Sequence, residues 1–346
     1  MPRLLVVTHS NFDPASRLRL MQYFPHLAAA GWRVDHRPLR PSLYRPLRAS
    51  SAALRRWEMR ANAALRCANL FREFAGAGKY GAVVIGRELP HLVGFLHAVN
   101  PRLVFDLDDA IHLGPSRPDV VRLARLAKVV VAGNETLADA AAAWSGNVKV
   151  IPTVVEPSAF RPAPAQPQDR RLRVGWLGSD YSIRQTLFPH LEMLAALQRE
   201  IDFELIVVSG PRPVLPDTKM RWRFVAWSPA VESEIAGLFD VGIMPLLDDP
   251  LQRAKCGAKL LQYMAAGLPV IASPVGINRD IVTPGRNGFL AADSEGWRSA
   301  LRALAADADL RRRLGAAGRA RVEADYSIER WLPVWLEILQ DVARRR

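Results

Sequence analysis

Cysteine is almost absent: Cys67 and Cys256 are the only two in 346 residues. A disulfide-stapled secreted scaffold is thereby excluded, and a reducing, cytoplasmic setting is expected. Long apolar runs are missing too. The N-terminus Met1-Pro2-Arg3-Leu4-Leu5-Val6-Val7 soon meets His9 and Ser10, so no export signal is expected. The longest uncharged stretch, Leu260 to Asn278, carries Gln262, Gly267, Pro269, Ser273 and Pro274, which argue against a transmembrane helix. Lysine is scarce, six residues against 41 arginines.

What is present supports a folded enzyme-sized chain. Hydrophobic residues make up 49% of it and the net charge is +13. At about 150 residues per domain the length suggests two domains. The arginine excess does not imply nucleic acid, since neither a recognised binding motif nor aromatic–basic interleaving accompanies it. It is uneven, however: residues 31–60 hold eight arginines against Asp35 and Glu58. That segment reads either as a solvated helical face or as a contact for anionic lipid headgroups or a phosphate-bearing acceptor, giving reversible attachment to a membrane surface.

Short apolar runs alternate with helical spacing along the whole chain. Strands are expected at Leu4–Thr8, Trp32–His36, Ala82–Ile85, Leu103–Phe105, Val129–Ala132 and Val148–Ile151, with helices at 18–30, 51–74 and 120–127 between them. A Pro-rich polar connector covers Phe160–Arg171, and the pattern restarts after it at Leu172–Leu177, Phe203–Val208, Arg223–Val225, Val241–Met244 and Val270–Ala272. In the second half helices are expected at 187–198, 231–239 and 259–266, and helical structure from Glu295 onward. Fully apolar strands between helices mean parallel sheets covered on both faces. The expected fold is α/β, with two doubly wound Rossmann-like domains: 1–165, 166–325, and a terminal segment 326–346. Ligands of such sheets lie beyond the carboxyl ends of the strands, and the cleft between domains is the default site.

The strongest local signal runs from Arg253 to Gly276, including Lys255-Cys256-Gly257-Ala258-Lys259, Gln262 and Gly267-Leu268-Pro269-Val270-Ile271-Ala272-Ser273. A helix starting near Cys256 puts Lys259 and Gln262 on one face at i and i+3 and turns Leu260, Leu261 and Met264 to the core. Arg253, Lys255 and Lys259 would then meet an anion at the helix N-terminus. The alternative is a solvated polar face.

This stretch resembles the donor-binding segment of GT-B glycosyltransferases of family 4, as do Asp240–Leu246, Asn287-Gly288-Phe289-Leu290 and Tyr326-Ser327. The resemblance implies two facing domains, with the C-terminal segment crossing back to the first. It implies a nucleoside-diphosphate sugar as co-substrate, no metal and no other cofactor, and retention of anomeric configuration. The acceptor would be a glycan or lipid-linked molecule, as in polysaccharide biosynthesis at the inner membrane face. The family's Glu-x7-Glu pair falls on Ala254 and Gln262, so both carboxylates are missing; Asp248 and Asp249 are candidate substitutes. A GT-B-like sugar-nucleotide epimerase, or a binding homologue without turnover, are the alternatives.

The remaining candidates sit at strand ends. Gly178-Ser179 would admit a pyrophosphate, the resemblance implies that Gly276, Ile277 and Asn278 contact the transferred sugar or its phosphate, and Trp227 would either cover the base or pack. In Asp106-Leu107-Asp108-Asp109 the resemblance places Asp108-Asp109 where the family commonly has a His facing the sugar, so either aspartate would face it, with His112 a rival. The same Asp-x-Asp run is also the pattern of metal-binding GT-A enzymes. On the acceptor side stand Ser16 as an N-cap, Arg17, Arg19, Arg87, Glu88, Asn134 and Glu135; each could instead cap or flank a helix.

Overall fold

The computed structural model describes residues 1–40, 68, 70–87, 89, 92–162, 171–210, 212–216 and 219–344. The chain divides into two compact units, residues 1–153 with 331–346 and residues 154–330. In the first, strands β1 (Arg3–Ser10), β2 (Arg33–Arg40), β3 (Ala82–Gly86), β4 (Leu103–Leu107), β5 (Val129–Ala132) and β6 (Val148–Val150) form a sheet ordered β2-β1-β3-β4-β5-β6. In the second, β7 (Leu172–Leu177), β8 (Phe203–Ser209), β9 (Trp222–Ala226), β10 (Val241–Met244), β11 (Val270–Ala272) and β12 (Gly288–Leu290) are ordered β12-β11-β10-β7-β8-β9. Every strand pair is parallel.

The parallel pairing follows from the apolar runs. All residues of β3, β4, β5 and β10 are buried, as strands covered on both faces must be. In the second unit Trp176, Phe203, Leu205, Val207, Ile243 and Trp297 share one core. Burying a side chain of this size contributes about 1.5–3 kcal/mol. Strand order reverses between β1 and β3 in the first sheet and between β7 and β10 in the second. Those switch points place the loops after β1 and β3, and after β7 and β10, beside the ligand crevice of each sheet.

Several elements differ from the sequence expectation. Residues 18–30 do not form one helix; a π turn at Ser16–Leu20 and a 3₁₀ turn at Met21–Tyr23 precede an α-helix at Phe24–Ala29. Pro25 lacks the N–H that would continue the ladder, so the helix restarts there. A helix at Asp180–Thr186 and the edge strand β12 were not expected. The 187–198 helix begins only at Leu191, after a 3₁₀ turn containing Pro189, and 231–239 splits into Pro229–Ser233 and Ile235–Leu238. The passage between units falls at 153/154, ahead of the Pro-rich connector. Residues 155–161 already bond within the second unit: Val155 N–H donates to the Tyr326 carbonyl, Arg161 N–H to that of Ser233, and the Arg319 side chain to those of Pro157 and Phe160. The C-terminal helix Ile328–Arg344 carries Pro333 inside it, and its residues from 331 belong to the first unit. Most of the 51–74 helical stretch, and the arginine-rich segment beyond residue 40, lie outside the described residues.

Candidate functional site

In the second unit, three elements converge on the turn after β7. The Gly178 N–H donates to the Val208 carbonyl at 3.0 Å. A Cβ on Gly178 would lie 2.5 Å from the Trp176 ring and 2.9 Å from Lys259 Cε, so any side chain there would displace both. Ser179 caps the Asp180–Thr186 helix, its Oγ accepting from Ser182 N–H at 3.1 Å. Lys259, in the first turn of the Ala258–Ala265 helix, donates from Nζ to Ser182 Oγ at 2.9 Å and lies 5.2 Å from the centre of the Trp176 ring. The ammonium is thus fixed by a hydroxyl and a π face beside a backbone with no side chain. Gly257 enters the Ala258–Ala265 helix at φ 69 and provides no side-chain cap, so the helix begins with its dipole's positive end at this turn.

Tyr263, one turn further along the same helix, accepts a hydrogen bond from Leu177 N–H at 2.8 Å through its hydroxyl. Burial pushes that phenol well above its ordinary range. Glycines mark these approaches: a Cβ on Gly242 would run into the Tyr263 ring and one on Gly175 into Phe239. Trp176, Ser182 and Tyr263 were not among the expected site residues. The only sequence signal for them was a glycine inside each of two apolar strands.

The loop after β11 closes on the same helix start. Gly276 has φ 52, and a Cβ there would collide with the Arg253 carbonyl. Ile277 immediately precedes the Asn278–Ile281 helix. Asn278 is 1% exposed and donates its amide to the Ser273 carbonyl at 3.0 Å, while Ser273 Oγ accepts from Leu246 N–H at 2.9 Å. Asn278 therefore ties its own loop to the ends of β10 and β11.

Other expected donor residues are placed differently. Arg253, read from the sequence as catalytic, is exposed and pairs at 2.5 Å with Asp248, read as a possible sugar ligand. Asp249 caps the Pro250–Arg253 helix and also accepts from the Gln252 amide, which engages both of its oxygens. Trp227 donates from Nε1 to the buried Glu232 at 2.7 Å, the packing outcome. Lys255 is half-buried in the link before the helix, and Gln262 and Ala254 are buried at 4% and 1% exposure.

In the first unit the residues after β1, β3 and β4 form a separate cluster. Arg19 and Asp106 are an ion pair, 3% and 1% exposed: Nη2 reaches Oδ1 at 2.5 Å and Nε reaches Oδ2 at 3.3 Å, while Nη1 donates to the Ile151 carbonyl at 2.6 Å. Arg19 is therefore a buried tie rather than a group open to an acceptor. Arg19 engages both oxygens of Asp106, the first carboxylate of the Asp-x-Asp run. Among the described residues no group of three or more His, Cys, Asp or Glu is placed to hold a metal.

Arg87 takes φ 69, a left-handed conformation uncommon for a side-chain-bearing residue, and its N–H donates to the Asp106 carbonyl at 3.2 Å. Asp108 is raised to about 7 chiefly by burial, with Arg87 and Arg19 opposing and Asp106 and Asp109 adding to the rise. Asp109 folds back on its own loop, accepting from Ala110 N–H at 2.9 Å. Both aspartates are half-buried, and Asp108 is the one with an enclosed carboxylate oxygen among charged neighbours. His112 stacks edge-on to Trp144 at 5.4 Å, and burial and Arg117 keep it below its ordinary value.

Ser16 is not the cap it was expected to be. Asp13 accepts from Ser16 N–H at 2.9 Å, and Ser16 Oγ accepts from Ser10 N–H at 3.4 Å. Arg17 lies half-buried in the π turn. Asn134 caps the Glu135–Ala142 helix by accepting from Leu137 N–H at 2.9 Å, which leaves Glu135 as an exposed first-turn residue. Glu88 lies outside the described residues.

Residues 171–307 match the family model of the group 1 glycosyl transferases. Over its length the chain resembles sucrose-phosphate synthase from Thermosynechococcus elongatus, with a TM-score of 0.74 and 17% identity across 99% of each chain. A glycosyltransferase from Rickettsia africae gives 0.67 and 13% identity across the whole of both chains. Anabaena HepE in complex with UDP-glucose gives 0.65 and 15% identity across 99% of this chain and 98% of the other. No curated protein matches the sequence. The fold is that of GT-B glycosyltransferases. Among the described residues no helix is long and apolar enough to cross a membrane.

Proposed function

We propose that this protein transfers a sugar from a nucleoside-diphosphate sugar, held by the second unit, to an acceptor hydroxyl. The observation that carries the reading is Lys259, its ammonium fixed by Ser182 and Trp176 beside the side-chain-free turn at Gly178. In transfer, the bond from the anomeric carbon to the diphosphate oxygen breaks, a bond to the acceptor oxygen forms, and the acceptor hydroxyl's proton passes to the departing diphosphate. Charge develops on the leaving diphosphate, and a preorganised cation at the positive end of a helix stabilises that charge. Retention of configuration and independence of metal and of any other cofactor belong to this proposal. So do a glycan or lipid-linked acceptor and work at the inner membrane face.

A screen of nucleoside-diphosphate sugars by thermal shift, followed by measurement of nucleoside diphosphate released, tests the reading. At a donor concentration about 100 times Kd, binding stabilises by about 2.7 kcal/mol, a rise of roughly 5–11 °C for a unit of this size. A shift with one such donor, and release that accelerates with acceptor, is the expected result. No shift with any nucleoside-diphosphate sugar contradicts it. A second reading, binding without turnover, is favoured by Ala254 and Gln262, which stand where the resembled family has two carboxylates. A thermal shift with no release across an acceptor panel would support that reading, and a new sugar nucleotide formed from donor alone would indicate an epimerase.

A further inference from the structure

On the first unit, the helices Val93–Val99 and Arg117–Leu126 enclose an open groove of about 760 Å³ lined by Arg117, Arg122, Arg125, His97, Val121 and Leu126. Elsewhere arginines such as Arg3, Arg173, Arg298 and Arg319 sit against carboxylates. Among the described residues the guanidinium groups of Arg117, Arg122 and Arg125 form no ion pair or hydrogen bond, and all three residues are exposed. Arg117 also opens its helix, the end at which the dipole disfavours a cation, so helix stability does not explain it. Gly94 makes room for one of the three: a Cβ there would lie 3.2 Å from Arg122 Cζ and closer still to its Nη2.

The charges are spread along the groove, not gathered at a point. Arg117 and Arg125, eight residues apart, are separated by about 12 Å along the helix axis. A single phosphate cannot bridge them, whereas an extended chain with repeated negative groups can. The groove is concave, which a flat bilayer does not fill, and among its lining residues no aromatic side chain offers a stacking platform for bases. Val121 and Leu126 supply apolar surface against which the C–H faces of sugar rings can lie. The groove begins at the carboxyl edge of the sheet, the edge that carries Asp108 and Asp109, since the Arg117–Leu126 helix follows β4.

We infer that this groove binds a polyanionic saccharide chain, which makes the acceptor an acidic glycan. The inference rests on the transferase reading for its role, but binding is measured without turnover. Fluorescence anisotropy with the full-length protein compares a labelled oligogalacturonate with a neutral maltooligosaccharide of equal length. Wild type binds the acidic chain with an affinity that falls as salt rises, and does not bind the neutral one. The double variant Arg122→Gln/Arg125→Gln weakens binding about tenfold, as expected for loss of two exposed charge pairs. Gly94→Ala keeps every charge but displaces Arg122, and weakens binding by a smaller factor of about three. Donor-induced thermal shifts stay unchanged in these variants, so the transferase reading can fail while the groove stands, and the reverse. Four results would overturn the inference: no binding by wild type, equal binding of neutral and acidic chains, equal binding by wild type and double variant, or stronger binding of phosphatidylglycerol vesicles or polydeoxythymidylate through the same arginines.

Discussion

Gly276 shows how far one residue constrains the donor side. Its φ of 52 and its contact with the Arg253 carbonyl leave no place for a Cβ, and the obstructing atom is backbone, which cannot swing aside. Gly276→Ala should destabilise the protein by more than about 1 kcal/mol in chemical denaturation, combining left-handed strain with the clash. Asp108 makes a second residue-scale prediction. Its carboxyl is raised from 3.8 to about 7 by burial, so the folded chain retains a proton that the unfolded chain has released. Stability should therefore fall as pH rises from about 4 to about 7, by at most about 1.4 kcal/mol per pH unit, and level off above. Denaturation at about pH 5 and about pH 8 should show that drop shrinking in Asp108→Asn.

At the scale of elements, the strands were legible because a strand covered on both faces must be apolar throughout, and β3, β4, β5 and β10 are. The helix expected at 259–266 was legible for a related reason, its apolar residues falling on one face; the structure places it at Ala258–Ala265. Helices interrupted by Pro25 and Pro189 were not, because apolar spacing continues across a backbone break. The site was legible only in part. Lys259 and Gly178 stood in a recognisable run. Arg19 and Asp106 lie 87 positions apart, and no local spacing reveals that they neutralise each other. Asn134 illustrates the ambiguity of strand-end polar residues: its side chain is already spent on a helix cap. Asn134→Ala should lower stability by about 1 kcal/mol, while Asn134→Ser should retain most of it. A direct role in acceptor binding would instead show as a raised acceptor KM with stability unchanged.

At the scale of the whole molecule, the net charge of +13 divides into distinct uses. Many arginines are paired with carboxylates, one is buried against Asp106, and three line an open groove. Catalysis is assigned to a lysine, although the chain has only six. Lysine suits the place, as a compact ammonium that fits between a hydroxyl and an indole face where a broad guanidinium would not. The most direct test is therefore the rate of nucleoside diphosphate release by wild type and by Lys259→Ala, using the donor that gives the largest thermal shift. Loss of about 2–4 kcal/mol of transition-state stabilisation predicts a fall of roughly 30- to 1000-fold in turnover with folding intact. Unchanged release by a folded Lys259→Ala protein would contradict the account.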